Sequence, residues 1–405
     1  MDMLLAIFRV IIFFVCISLC NPLRASSSVA EEKNGLGYGS GRERTAGASV
    51  YDEPGMPAVN EGKCCTSEKV LISIDILELK IRYRGTFMDT DKRMPKVAMG
   101  AWSWGAGVAG GDQVFGNHLG ESELQPVFDA AMERGLNLWD TATVYGMGAS
   151  EDILGRFIRQ GNKKDAVIIS TKFTPQIAGM YEDSMAKMAE ASCERLGIDV
   201  IDLYWIHNPA DVERWTPELI PLLKSGKVKN VGVSNHNLSE IKRANEILGE
   251  QGFRISAVQN HFSLLNRSSE SSGILDYCRE NDITFFAYMV LEQGALSGKY
   301  DTRHPFPEGS DRARIYNPVL AQLEELTAAM GEIGKKHGLS AAQVGTAWAV
   351  SKGVLPIIGV TKVRHVEDAA KAASVNLSAE EINHLETLAD KAEVNTIREW
   401  EKKMD

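Results

Sequence analysis

Four side chains stand out for what they could do together: Asp140, Tyr145, Lys172 and His207. A carboxylate, a phenol, an ammonium and an imidazole are each expensive to bury alone, and grouped they can satisfy one another. The chemistry open to such a set is proton delivery to an oxygen on which negative charge is building. A phenol with a pKa of about 10 is a reluctant donor near neutral pH. Lys172 held beside Tyr145 would favour the phenolate and lower that pKa, while Asp140 would pair with Lys172 and keep it charged. His207 would hydrogen-bond the accepting oxygen and orient it. Read singly, an Asp at a strand end is a helix cap, a Tyr is amphipathic packing and a His is structural. The chemical reading therefore needs all four to share one hollow.

The elements around them supply that hollow. In residues 135–155, Leu136, Leu138 and Trp139 form an apolar run that stops at Asp140, Thr141 and Ala142. Gly146 and Gly148 then permit a tight loop, and Ser150 followed by Glu151 reads as a helix N-cap with an acid in the first turn. Further apolar runs predict strands at 97–100, 136–141, 166–173, 201–207, 230–235, 255–263, 284–290 and 355–359. Helical patterns lie between them at 121–134, 184–196, 238–248 and 341–351. A last helix is predicted from Ser378, with Glu381 completing a capping box. Eight strand and helix pairs in about 300 residues predict an α/β fold, a (β/α)8 TIM barrel, and no Rossmann glycine fingerprint follows the first strand. In such a barrel, function collects where strands end. Asp140 ends the second strand, Lys172 (in STKF) lies on the third and His207 (in YWIHNP) ends the fourth.

The glycine, Asp-Thr-Ala, Tyr-Gly, Ser-Glu and Leu-Gly pattern carried by Gly135, Asp140, Thr141, Ala142, Tyr145, Gly146, Ser150, Glu151, Leu154 and Gly155 closely resembles the aldo/keto reductase signature. The resemblance extends over roughly 94–391. It implies an NADP-dependent oxidoreductase that reduces an aldehyde or ketone, with Asp140, Tyr145, Lys172 and His207 as its catalytic set. It also implies that Ser234, Asn235 and Gln259 hold the nicotinamide carboxamide of NADPH and that Tyr288 stacks on the nicotinamide ring. Without the resemblance, Ser-Asn is a helix cap and Tyr288 a core aromatic. Two departures stand out. Where the family often has Ser-Pro-Leu after the ring-stacking Tyr, this chain has Met289, Val290 and Leu291, keeping only Leu291 for the cofactor. Where it often has Arg at the adenosine 2'-phosphate, this chain has His365, with Lys362 and Arg364 near enough to supply cations instead. Trp102, Trp104 and Phe115 follow the first strand and are candidate walls of the substrate pocket. Some proteins resembling this family are regulatory subunits of potassium channels that keep the cofactor site, which is the competing reading.

Composition bounds the rest. The 405 residues carry a formal charge of -10, are 44% hydrophobic and 24% charged, and show no stripe of Lys or Arg, which argues against a nucleic-acid partner. Six cysteines and eight histidines show no metal-ligand spacing. Residues 1–25 read as a signal peptide, with an apolar core from Val10 to Cys20 behind Arg9, and after cleavage no stable membrane insertion is expected; an uncleaved anchor is the runner-up, since Leu4 to Phe8 extend the apolar stretch across Arg9. Residues 26–69 read as a disordered leader, 70–395 as the barrel and 396–405 as a C-terminal tail. A strand or hairpin is predicted within 70–83. The leader implies the secretory route, and a plastid reached through that route would supply NADPH. Against this, Asn237, Asn266 and Asn376 lie in glycosylation patterns, and a glycan on Asn237 would crowd Asn235. Oligomeric state is not legible.

Overall fold

The computed structural model describes residues 92–179, 184–209, 211–398 and 401–404. The expected signal peptide, leader and 70–83 hairpin lie outside those residues. Eight strands follow one another: β1 (Ala98–Gly100), β2 (Leu138–Asp140), β3 (Ile168–Phe173), β4 (Ile201–Ile206), β5 (Val228–Ser234), β6 (Ala257–His261), β7 (Thr284–Tyr288) and β8 (Leu355–Gly359). Each pairs in parallel with its neighbour, and β8 pairs with β1 to close the ring. A parallel connection needs a crossover, and helices such as Ala149–Gln160, Ser184–Leu196 and Leu238–Gly249 provide it. The expected barrel is therefore present. Its strands are mostly shorter than the apolar runs, because Leu136 and Val290 are buried against the helix layer beyond the ladder. Hydrophobicity marks burial, and burial outlasts pairing.

Alternation along each strand separates two cores. Ala98, Leu138, Ile168, Leu203, Trp205, Ala257, Phe286 and Leu355 fill the barrel interior. Residues of opposite phase, such as Trp139, Ile169 and Tyr204, face the helices. Trp205 is the interior plug. Its ring meets Phe286 edge-on at 5.2 Å, and a Cβ on Gly232 of β5 would lie 2.4 Å from it. Glycine at 232 is what lets a tryptophan fit, and closing that space with a methyl would cost about 1–3 kcal/mol.

The same alternation lifts functional side chains onto this plug. Two residues beyond Leu138 comes Asp140; beyond Ile168 come Ser170 and then Lys172; beyond Trp205 comes His207. Gly232 is followed by Ser234, Ala257 by Gln259 and Phe286 by Tyr288. At the opposite face, Asp202 near the start of β4 gathers Lys92, Lys229 (3.2 Å) and the Ile169 amide (3.0 Å). The chain thus joins the barrel, through Lys92, at the end away from these groups.

Candidate active site

Lys172 is fully buried and its ammonium donates to Asp140 Oδ1 (2.5 Å), the Thr141 carbonyl (2.7 Å) and Tyr145 Oη (3.4 Å). Tyr145 Oη also lies 3.5 Å from His207 Nε2. The phenol thus stands between an ammonium and an imidazole, with Trp102 stacked on its ring at 5.6 Å and Phe115 edge-on to Trp102 at 5.2 Å. The loop holding Tyr145 turns through left-handed backbone at Gly146 (φ 59°) and Gly148 (φ 101°), conformations that glycine adopts without strain.

Supporting bonds leave these groups little freedom. Asp140 Oδ2 accepts from Ser170 Oγ (2.7 Å) and Gln259 Nε2 (3.2 Å), and Trp205 Nε1 donates to Ser170 Oγ (2.7 Å). His207 Nδ1 pairs with Thr174 Oγ1 at 3.1 Å. Ser170 and Thr174 share the phase of Lys172, so alternation alone could have flagged them.

Burial dominates the electrostatics. It holds the Tyr145 phenol well above the usual range, and the Asp140 charge pushes it further. The sequence led us to expect a lowered value; Asp140 pairs with the same ammonium and offsets its effect, leaving desolvation in command. Burial lowers the Lys172 ammonium against the pull of Asp140. It also holds the His207 imidazole well below its ordinary value, aided by the Lys172 charge. At neutral pH the set therefore presents a protonated phenol and a neutral imidazole.

The tips of β5 to β7 carry a different kind of group. Ser234 and Gln259 are paired across the β5–β6 ladder, and Asn235 follows in left-handed backbone (φ 59°). Asn235 Nδ2 donates to the His207 carbonyl (3.3 Å) and Ser234 Oγ (3.3 Å), and its Oδ1 accepts from Tyr288 Oη (2.6 Å). A hydroxyl and two amides clustered at adjacent strand ends match the donors and acceptors of a carboxamide. The Gln293 side-chain oxygen Oε1, on the turn after β7, is buried without a hydrogen-bond partner. A ligand hydroxyl there would satisfy it, so these residues fit a dinucleotide. Among the described residues, no group of His, Cys, Asp and Glu is arranged to hold a metal ion.

Residues 96–390 match the aldo/keto reductase family. The chain belongs to that family. It is 32% identical over 317 residues to the chloroplastic pyridoxal reductase of Arabidopsis thaliana, covering 75% of this chain and 85% of that one. It is 30% identical over 292 residues to an aldo-keto reductase of Schizosaccharomyces pombe whose name carries NADP(+), covering 68% and 84%. Among solved structures it is similar to the glycerol dehydrogenase AKR11B4 of Gluconobacter oxydans, with a TM-score of 0.66 and 25% identity over 76% of this chain and 96% of that one. A Klebsiella pneumoniae aldo/keto reductase solved with NADP and acetate shares the fold, with a TM-score of 0.57 and 24% identity over 77% and 95%.

Several residues singled out in the sequence are placed differently from expectation. Trp104 is fully buried between the barrel and the helices, against Trp139 and Phe157, with Nε1 donating to the Val360 carbonyl. It ties the loop after β1 to the residue after β8 and walls no pocket. Ser150 does not cap its helix, whose N-cap is Gly148. Its hydroxyl instead donates to the Ala101 carbonyl (2.7 Å) and pairs with Thr141 (2.9 Å), joining the ends of β1 and β2. Glu151 is buried against Thr171 and Arg195. Leu291 turns toward Gly345 of the helix layer.

After β8, Lys362 and Arg364 are exposed at the start of the helix Val363–Ala372, where an anion is favoured. His365 faces inward, accepting the Thr361 amide at Nδ1 (3.2 Å), and burial lowers its pKa, so it is no substitute for a guanidinium. Two of the three glycosylation patterns fit poorly, since Asn266 is buried and Asn237 is an N-cap bonded to the Glu240 amide (3.0 Å), whereas Asn376 is exposed. Cys193 and Cys278 are buried and free. Among the described residues, no helix is long and apolar enough to cross a membrane.

Proposed function

We propose that the chain reduces aldehyde or ketone carbonyls to alcohols with NADPH. The observation that carries this reading is the position of Tyr145 Oη, 3.4 Å from Lys172 Nζ and 3.5 Å from His207 Nε2. Bound across Ser234, Asn235, Gln259 and Tyr288, the nicotinamide would supply a hydride to the carbonyl carbon. With the Thr174 hydroxyl donating to Nδ1, His207 carries its proton on Nε2 and holds the carbonyl oxygen beside Tyr145. Tyr145 gives its proton to the developing alkoxide. An alkoxide is a much stronger base than a phenolate, so a high phenol pKa does not block this transfer, and it prevents early loss of the proton. Lys172 then faces the phenolate and stabilises it, while Asp140 keeps the ammonium charged.

Lys362 and Arg364 are the cations available to a 2'-phosphate, which favours NADPH over NADH. Trp102 and Phe115 give the pocket an aromatic wall. We read residues 1–25 as a signal for the secretory route; a plastid as the end point is supported by the chloroplastic name of the Arabidopsis relative. A fluorescent reporter fused to residues 1–75 tests this, and cytosolic fluorescence would end it.

The deciding experiment is NADPH consumption over a panel of aldehydes and ketones, for the natural sequence and for Tyr145→Phe. Turnover by the first, and retained NADPH binding with little turnover by the second, supports the reading. Tight NADPH binding with no turnover of any carbonyl would overturn it and point to a cofactor-binding regulatory subunit.

A further inference from the structure

The C-terminal residues are built into the same end of the barrel. Thr396 Oγ1 donates to Glu292 Oε1 (3.1 Å), and Arg398 donates to Tyr316, whose hydroxyl donates to Glu292 Oε2 (2.7 Å). Lys402 pairs with Glu240, and Met404 is 5% exposed, with its sulfur 3.2 Å from the Asn260 amide nitrogen. Between them Glu401 sends its carboxylate inward. Oε2 meets His261 Nδ1 (2.9 Å) and the Arg398 amide (3.1 Å), and Oε1 lies 3.1 Å from Tyr288 Oη. On its other side, His261 meets Glu292 at 2.8 Å.

This arrangement gives the Tyr288 hydroxyl two acceptors for a single proton: Asn235 Oδ1 at 2.6 Å and Glu401 Oε1 at 3.1 Å. Asn235 is 3% exposed and the Tyr288 hydroxyl holds one of the two acceptor positions of its Oδ1, so a ligand amide aimed at that position must displace the hydroxyl. A hydroxyl with nowhere else to donate would have to break its bond uncompensated, at the cost of a buried unpaired donor. A carboxylate is the stronger acceptor of the two. We propose that Glu401 is a positioning residue for the dinucleotide: it takes over the Tyr288 hydroxyl and frees Asn235 Oδ1 for the nicotinamide carboxamide. The C-terminal segment is then part of the cofactor site. This rests on the reading of Asn235 as a carboxamide ligand.

The test is a fluorescence titration of the full chain with NADPH, and with 2'-phospho-ADP-ribose, which has the rest of the ligand but no nicotinamide. Glu401→Ala raises the Kd for NADPH about tenfold, the loss of one bond to a charged acceptor. Glu401→Gln, which keeps an acceptor in the same space, falls between that and the natural sequence. Neither changes the Kd for 2'-phospho-ADP-ribose. In a Tyr288→Phe background there is no hydroxyl to redirect, and Glu401→Ala changes the NADPH Kd less than about twofold. An unchanged NADPH Kd in Glu401→Ala overturns the proposal. So does equal weakening of both ligands, or the same weakening with and without the Tyr288 hydroxyl, since each marks a structural role. If the natural sequence binds 2'-phospho-ADP-ribose but gains nothing from the nicotinamide, the underlying reading of Asn235 falls, and the proposal with it.

Discussion

The rim of the barrel divides into two halves that solve different problems. At the ends of β2 to β4, Asp140, Lys172, Tyr145 and His207 are held by one another and by Ser170, Trp205 and Thr174, none of which needs to move. At the ends of β5 to β7, Asn235 and Tyr288 are bonded to each other, and a ligand would have to exchange those bonds for its own. Groups that act on a transition state gain from being fixed beforehand. Groups that take up and release a ligand gain from having somewhere to put their protons in its absence. Gln259 joins the halves, its amide nitrogen resting on Asp140.

If the first half is fixed by mutual satisfaction, removing one member should cost more than a contact. Asp140→Ala leaves the Lys172 ammonium buried and unpaired, and is expected to destabilise the fold by about 3–5 kcal/mol, read as a lower midpoint in urea. A change below about 1 kcal/mol would mean water reaches Lys172 and the half is not dry. Tyr145→Phe removes only the hydroxyl proposed above to give its proton. It should lower kcat at least about a hundredfold with the NADPH Kd nearly unchanged. An equal loss in both quantities would erase the division of labour.

The second half contains a titratable bridge. Burial alone would lower His261, but Glu292 and Glu401 on its two nitrogens outweigh it and hold it up at about 9. Its folded pKa is above its unfolded one. Its contribution is therefore complete below the unfolded value of about 6.5 and is lost as pH rises through about 9, on the order of 3 kcal/mol. Thermal midpoints should fall between those limits, and His261→Gln should flatten the fall; an equally steep decline in that variant would locate the titration elsewhere. The smallest effect is expected at the exposed cations. Lys362→Ala combined with Arg364→Ala should raise the Kd for NADPH about tenfold and leave that for NADH unchanged. Equal affinity for both dinucleotides in the natural sequence would remove the NADPH preference.

Much of the first half was legible because it is written in strand phase. Once Leu138, Ile168 and Trp205 point inward, Asp140, Lys172 and His207 must follow, and the signature around Tyr145 supplies the loop. What resisted reading depends on contacts remote in sequence. Nothing near Trp104 reveals that its indole belongs to Val360, and a serine before a glutamate reads as a cap when its true partner is the Ala101 carbonyl. The direction of the Tyr145 shift depends on how completely its surroundings exclude water, which a list of neighbours does not contain. Residues 396–405 read as a tail because Arg398, Glu401 and Lys402 have no apolar period. Arg398 and Glu401 are held by buried polar partners instead, Tyr316 and His261.

The placement of Lys92 and Met404 has a practical corollary. A purification handle joined just ahead of Lys92 would begin beneath the barrel floor, beside Asp202, well clear of the mouth. The same handle appended after Asp405 would tug on a methionine lodged next to Asn260, three residues past Glu401, whose carboxylate meets Tyr288 Oη. Workers comparing preparations tagged at opposite ends should expect them to disagree first about how tightly the dinucleotide is held.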